Sequence, residues 1–144
     1  MFDAEGALGK LLDTARRPSQ CELVARILVI DDDPMVGLMI RRMLSPAHEV
    51  AVQRSAQGAL QLMQSGERYD VILTDLHMPD RDGIWLRGEL ARVDPSAPRR
   101  MLFLTGGAGS AEAQEFLGQP GVRWLEKPFR SADLLARIEE VLRD

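Results

Sequence analysis

From Arg26 onward the apolar residues fall into two alternating patterns: short unbroken runs, and longer stretches in which they recur every three or four positions. Ile27 to Ile30, Val71 to Thr74 and Met101 to Leu104 are unbroken apolar and β-branched runs, as expected of strands buried on both faces. Glu49 to Gln53 and Val122 to Glu126 complete a set of five predicted strands. Between the first two lies a helix started by Asp33 as N-cap and Pro34 at its first position. Val36, Ile40, Met43 and Leu44 make its core face, and Ser45-Pro46 closes it. Ser55 caps a second helix over 56–64, with Ala56, Ala59, Leu60 and Met63 at the helical period. A third helix is predicted after Gly83 to about Val93, a fourth from Ser110 to Leu117, and a fifth from Ser131 to Arg143 that buries Leu134, Ile138, Val141 and Leu142. Asp94-Pro95-Ser96-Ala97-Pro98 reads as a loop by composition. Connections this short between strand and helix force the strands to run parallel, so the pattern predicts an α/β fold: an open sheet with helices on both faces.

Residues 1–25 stand outside that pattern and form a leader. Ala7, Leu8, Leu11, Leu12 and Ala15 share one helical face, so 5–16 can form a short amphipathic helix ended by Arg17-Pro18-Ser19. A helix of that length is marginal alone, and a loosely docked leader is expected. Residues 26–144 then make one domain, in keeping with a chain of 144 residues that is 45% hydrophobic. The net charge of -4 provides no basic footprint, which argues against direct binding to nucleic acid. The single cysteine, Cys21, has no internal partner, which favours a reducing, cytoplasmic setting. No apolar run is long enough to span a bilayer, and residues 1–10 lack the apolar centre of a secretory signal.

The strand ends carry the chemistry. The first strand delivers Asp31 and Asp32, the third Asp75, the fourth Thr105 and the fifth Lys127 followed by Pro128. In open parallel sheets ligands bind outside the carboxyl ends of the strands. A lone aspartate after a strand is commonly only a turn former. If these ends share one edge of the sheet, three carboxylates, one hydroxyl and one ammonium converge, and like charges a few ångströms apart repel by about 4 kcal/mol per pair at an effective dielectric of about 20. Such a cluster wants a cation, and oxygen ligands left partly to water suit Mg²⁺. A helix cap accounts for Asp33 but not for Asp31 and Asp32 as well. The glycine-rich run after Thr105 is not a phosphate-cradling loop, because no Gly-Lys-Ser/Thr ends it. Lysine itself is rare here: only Lys10 and Lys127 occur in an arginine-rich chain.

Taken in order, Ile-Leu-Val-Ile-Asp-Asp-Asp-Pro, Asp-Val-Ile-Leu-Thr-Asp-Leu-His-Met-Pro-Asp-Arg-Asp-Gly, Phe-Leu-Thr-Gly-Gly and Leu-Glu-Lys-Pro-Phe resemble the receiver domain of two-component response regulators, the CheY-like superfamily. The likeness covers Arg26 to Asp144, and Leu-Thr-Gly-Gly-Ala with Leu-Glu-Lys-Pro-Phe resembles in particular the receivers of hybrid sensor histidine kinases. The resemblance implies a flavodoxin-like, doubly wound five-stranded parallel sheet in the order 2-1-3-4-5. It implies that Asp75 accepts a phosphoryl group from a histidine kinase or phosphotransfer protein. Mg²⁺ would be bound by Asp32, Asp75 and the backbone carbonyl of His77, with Asp31 acting mainly through a metal-bound water. Lys127 would contact a phosphoryl oxygen, a task for a compact ammonium rather than an arginine fork. Thr105 would be the switch hydroxyl, with the small Gly106 beside it, and Trp124 the switch aromatic. Tryptophan is bulkier than the family's usual tyrosine or phenylalanine, which disfavours its full inward movement. The downstream target would be a protein reading the face made by the fourth helix, fifth strand and fifth helix, through which homodimers also form in this family.

The same residues bear on two rival functions. A phosphoaspartyl hydrolase of the haloacid-dehalogenase type needs a second acid two residues after its nucleophile, and His77 stands there. A pseudo-receiver that never takes phosphate is at odds with the intact set of Asp31, Asp32, Asp75, Thr105 and Lys127. The chain ends with the predicted fifth helix, so it is expected to act as a free-standing regulator or a receiver module of a larger kinase, and to catalyse only its own phosphorylation and dephosphorylation. His77 is expected to overhang the site and to influence the hydrolysing water. Trp85, early in the third helix, is expected to be an exposed aromatic.

Overall fold

The computed structural model of the chain describes residues 24–106 and 109–144. The elements follow the predicted alternation: β1 Arg26–Ile30, α1 Pro34–Leu44, β2 Glu49–Gln53, α2 Ala56–Gln64, β3 Val71–Asp75, α3 Gly83–Val93, β4 Met101–Thr105, α4 Ala111–Leu117, β5 Arg123–Glu126 and α5 Ser131–Arg143. The leader with Cys21 and Lys10, together with Gly107 and Ala108, lies outside the described residues.

The five strands form one parallel sheet in the order β2-β1-β3-β4-β5. Period-two alternation splits each central strand between two cores. Leu28, Ile30, Ile72, Met101 and Phe103 face the layer of α2, α3 and α4, where Ala59, Met63, Leu86, Leu90 and Phe116 are buried. Ile27, Val29, Val71, Leu73, Leu102 and Leu104 face α1 and α5, which contribute Ile40, Leu44, Leu134, Ile138 and Val141. Burial of each such large side chain contributes about 1.5–3 kcal/mol. This double coverage explains why β1, β3 and β4 read as unbroken apolar runs.

The caps expected from sequence are in place. The Asp33 carboxylate accepts from Met35 N–H at 2.9 Å, and Ser55 Oγ from Gly58 N–H at 3.0 Å. Ser110 is the cap of α4 rather than its first residue, its Oγ accepting from Ala113 N–H at 3.0 Å. Leu142, Val36, Met43 and Leu60 are only partly buried at the margins of the two cores. The expected loop at Asp94 to Pro98 gives way to a 3-10 turn over Ala97–Arg100. Its entry is built by Asp94, whose carboxylate accepts from the N–H and hydroxyl of Ser96 at 3.0 and 2.8 Å. Trp85 is half-buried against the core beside α3 rather than exposed, with the Arg81 guanidinium 5.3 Å from its ring centre.

Candidate functional site

Parallel pairing aligns the ends of the central strands, with Ile30 opposite Thr74, Asp75 opposite Leu104, and Thr105 opposite Glu126. The residues that follow each strand therefore emerge on one edge of the sheet. Asp31, Asp32 and Asp75 come together there, each offering a carboxylate oxygen within 4.8 Å of the others.

Asp31 is the buried member, 2% exposed. Its N–H donates to the carbonyl of Gln53 at 3.1 Å, continuing the β1–β2 ladder, and its Oδ1 accepts from Asp33 N–H at 2.9 Å. Its Oδ2 is buried without a hydrogen bond and lies 3.5 Å from Lys127 Nζ. Asp32 is exposed beside it. Asp75 Oδ1 accepts from His77 N–H at 3.4 Å and lies 3.6 Å from Lys127 Nζ. The ammonium is thus shared between two carboxylates that belong to different strands.

Electrostatics sets Asp75 apart. Burial raises its pKa above the ordinary carboxylate value; Lys127 opposes that shift, Asp31 reinforces it, the His77 N–H lowers it, and Asp32 raises it further. A partly buried carboxylate flanked by one ammonium and two further acids is poised to exchange negative charge with an incoming group.

The groups around the site are buried and hydrogen-bonded. Thr105 is fully buried, and its carbonyl accepts from Lys127 N–H at 2.7 Å. The neighbouring Thr74, also fully buried, donates its hydroxyl to the carbonyl of Asp75 at 3.0 Å. Gly83 N–H donates to the Leu76 carbonyl at 3.0 Å, folding the loop back onto the strand end. From sequence Gly83 reads only as the close of the turn after β3. Thr74 reads there as one more strand residue, and the demand on Gly83 comes from tertiary contact. His77 is exposed beside Asp75, whereas Trp124 lies on β5, 38% exposed, with its carbonyl accepting from Arg137 at 3.0 Å. The Lys127–Pro128 peptide is cis.

The cluster suits a hard divalent cation. All three side-chain donors are carboxylate oxygens, and the buried Oδ2 of Asp31 makes no hydrogen bond and is met only by the shared Lys127 ammonium at 3.5 Å, an acceptor of the kind a cation would satisfy further. Beside Asp32 a cleft lined by Arg54, Ser55, Met78 and Arg81 opens toward solvent.

Comparison with known proteins gives one consistent likeness. A family model described as the response regulator receiver domain matches residues 27–139. The chain is 34% identical over 111 residues to protein-glutamate methylesterase/protein-glutamine glutaminase 2 of Anaeromyxobacter dehalogenans, covering 76% of this chain and 32% of that one. It is 34% identical over 119 residues to response regulator MprA of Mycolicibacterium vanbaalenii, covering 82% of this chain and 50% of that one. The chain therefore spans half or less of the length of these curated relatives. Among solved structures it is similar to a CheY-like response regulator receiver domain protein from Methanospirillum hungatei, with a TM-score of 0.74, 28% identity, and coverage of 84% of this chain and 95% of that one.

Proposed function

The chain belongs to the response regulator receiver domain family of two-component systems, and from that premise we propose that Asp75 is its phosphoacceptor. The carboxylate of Asp75 attacks the phosphorus of a phosphohistidine on a sensor histidine kinase or phosphotransfer protein. A P–O bond to Asp75 forms as the P–N bond breaks, and the electron pair returns to the imidazole. The observation that carries this reading is the position of Lys127 Nζ, 3.6 Å from Asp75 and 3.5 Å from Asp31. An ammonium held there meets a phosphoryl oxygen as soon as one is attached to Asp75.

Asp31, Asp32, Asp75 and the backbone carbonyl of His77 are the proposed holders of Mg²⁺, which when bound neutralises charge between the attacking carboxylate and the phosphoryl group. Thr105 acts as the switch hydroxyl. It sits at the end of β4, from which the chain leads through Gly106 to α4, so a pull on Thr105 is felt at the face of α4, β5 and α5. Trp124 on that face is the proposed aromatic reporter. A downstream protein, or a second copy of the chain, reads the face. The chemistry is confined to the chain's own phosphorylation and dephosphorylation, in the cytoplasm, with residues 1–25 as a leader to a receiver spanning 26–144.

The test is incubation with acetyl phosphate and Mg²⁺ followed by intact mass measurement. Wild type gains one phosphoryl mass, and Asp75→Ala gains none. Equal uptake by both, or by neither, removes Asp75 from the role.

A further inference from the structure

A second concave site lies at the opposite edge of the sheet. Arg68 precedes β3, Ser96, Arg99 and Arg100 precede or end the turn into β4, and Val141 and Asp144 close α5; together they line a cavity of about 340 Å³. The acidic cluster stands at the carboxyl ends of the strands and this cavity at their amino ends. The length of a five-residue strand, roughly 16 Å, separates the two.

The cavity is not balanced in charge. Arg100, with its side chain 12% exposed, is fixed in place: Nε donates to the Tyr69 carbonyl at 2.9 Å, and its terminal nitrogens donate to Ser96 Oγ at 2.7 Å and to Asp94 at 3.0 Å. Asp144 is engaged by Arg123, whose other nitrogen donates to the Arg99 carbonyl at 2.8 Å. Arg68 reaches Asp94 only at 3.5 Å, and its side chain is 65% exposed. The Arg99 guanidinium has no hydrogen-bond or ion-pair partner among the described residues. Three guanidiniums, of Arg68, Arg99 and Arg100, line the cavity with Arg123 beside it, and against these four stand the side-chain carboxylates of Asp94 and Asp144 and the α-carboxylate of Asp144. A positive charge is left over in a chain whose net charge is -4.

Guanidinium forks match the oxygens of phosphate two at a time. A positive surplus carried by two arginines without a close partner suits a phosphate monoester, which carries about -1.5 to -2 near neutral pH. The cavity volume falls at the small end of the range for small-ligand pockets. We infer that this cavity binds a small phosphate monoester, its phosphate held by Arg68 and Arg99 against the anchored Arg100 and its organic body resting on Val141. The site is separate from the acidic cluster and requires no Mg²⁺.

Calorimetric titration of the full chain without Mg²⁺, with AMP, adenosine and inorganic phosphate as probes, tests this. AMP is expected to bind, inorganic phosphate to compete with it, and adenosine to fail. Arg68→Gln and Arg99→Gln, both exposed and expected to leave Tm unchanged, should each weaken AMP binding by about tenfold or more. Lys127→Gln should leave it unaltered, which separates this site from the acidic one. The inference is overturned by silence at millimolar AMP, by equal binding of adenosine, by affinity that survives loss of both arginines, or by affinity that depends on Lys127. A phosphoserine peptide that binds where AMP does not overturns the small-molecule assignment.

Discussion

The backbone N–H of Lys127 donates to the carbonyl of Thr105 at 2.7 Å, so the ammonium-bearing residue and the buried hydroxyl are tied side by side at the ends of β5 and β4. The same lysine reaches across to Asp75, 3.6 Å away on β3. Lys127→Gln keeps the backbone link and removes the charge. An ion pair at that distance is worth at most about 5 kcal/mol at an effective dielectric of about 20, and Lys127 is the main influence opposing the rise in the Asp75 pKa. Phosphoryl uptake from acetyl phosphate should slow by roughly ten- to a hundredfold, with little change in urea midpoint. A mass-resolved time course of both proteins measures it; an unchanged rate leaves Lys127 as a structural ion-pair partner only.

Gly83 is held against the site by shape. A Cβ there would stand 3.0 Å from the Asp75 carbonyl oxygen and 3.1 Å from the Phe103 ring. Phe103 cannot yield, because it is buried and packed edge-on against Phe116 at 5.1 Å between ring centres. Gly83→Ala should therefore destabilise the fold by about 1–3 kcal/mol. Gly88, in the same helix, has nothing within 4 Å of an added Cβ. Gly88→Ala should instead stabilise by about 0.5–1 kcal/mol through helix propensity. Urea denaturation of the pair decides the point, since the two substitutions are chemically identical and only the surroundings differ.

What could be read from the chain divides along the range of the interactions. Ile27 to Ile30 and Met101 to Leu104 are legible because burial on both faces writes itself into consecutive residues, and Asp33-Pro34 marks a helix start locally. The convergence of Asp31, Asp32 and Asp75 follows once the strands are parallel, since strand ends must then share an edge. The turn at Ala97–Arg100 was not legible. It depends on the bonds that Asp94 makes to Ser96 and on the Arg100 fork anchored at Tyr69, 31 residues earlier in the chain. Trp85 was misread for the same reason, as its burial comes from packing against a core assembled by distant elements. The arginine cavity carries no local signature, since Arg68, Arg99 and Asp144 meet only in the folded chain.

Asp94 should make the fold acid-sensitive. Its pKa is lowered to about 2 from 3.8, first by the Ser96 backbone N–H, then by the Ser96 hydroxyl and by Arg100. A carboxyl depressed on folding contributes stability that is complete above its unfolded value and is lost as pH falls through its folded value. The contribution of Asp94 is therefore full above about pH 4 and fades toward about pH 2. Its side chain is 31% exposed, so solvent screening holds the effect of Asp94→Asn near neutral pH to about 1 kcal/mol. The difference in urea midpoint between wild type and Asp94→Asn should hold constant above about pH 4 and narrow from there toward about pH 2. A gap that is constant with pH would mean that the substitution acts through packing or turn geometry and not through charge.

His77 offers the last prediction, about the lifetime of the modified protein. It is exposed two residues beyond Asp75, and its own N–H donates to Asp75 Oδ1 at 3.4 Å, so its position is tied to that carboxylate through the backbone. We propose that its side chain influences the approach of water to an acyl phosphate on Asp75. His77→Ala keeps the backbone N–H and carbonyl, and with them the groups proposed to serve Asp75 and Mg²⁺, so phosphoryl uptake should change little. Loss of the imidazole alters only the ordering of, and access for, the hydrolysing water. A change in dephosphorylation rate on the order of tenfold corresponds to about 1.4 kcal/mol in barrier, which is within the reach of one positioned side chain. Decay of the phosphoryl mass after removal of acetyl phosphate measures the lifetime directly. If wild type and His77→Ala decay at the same rate, the imidazole has no part in hydrolysis and only the backbone of His77 serves the site.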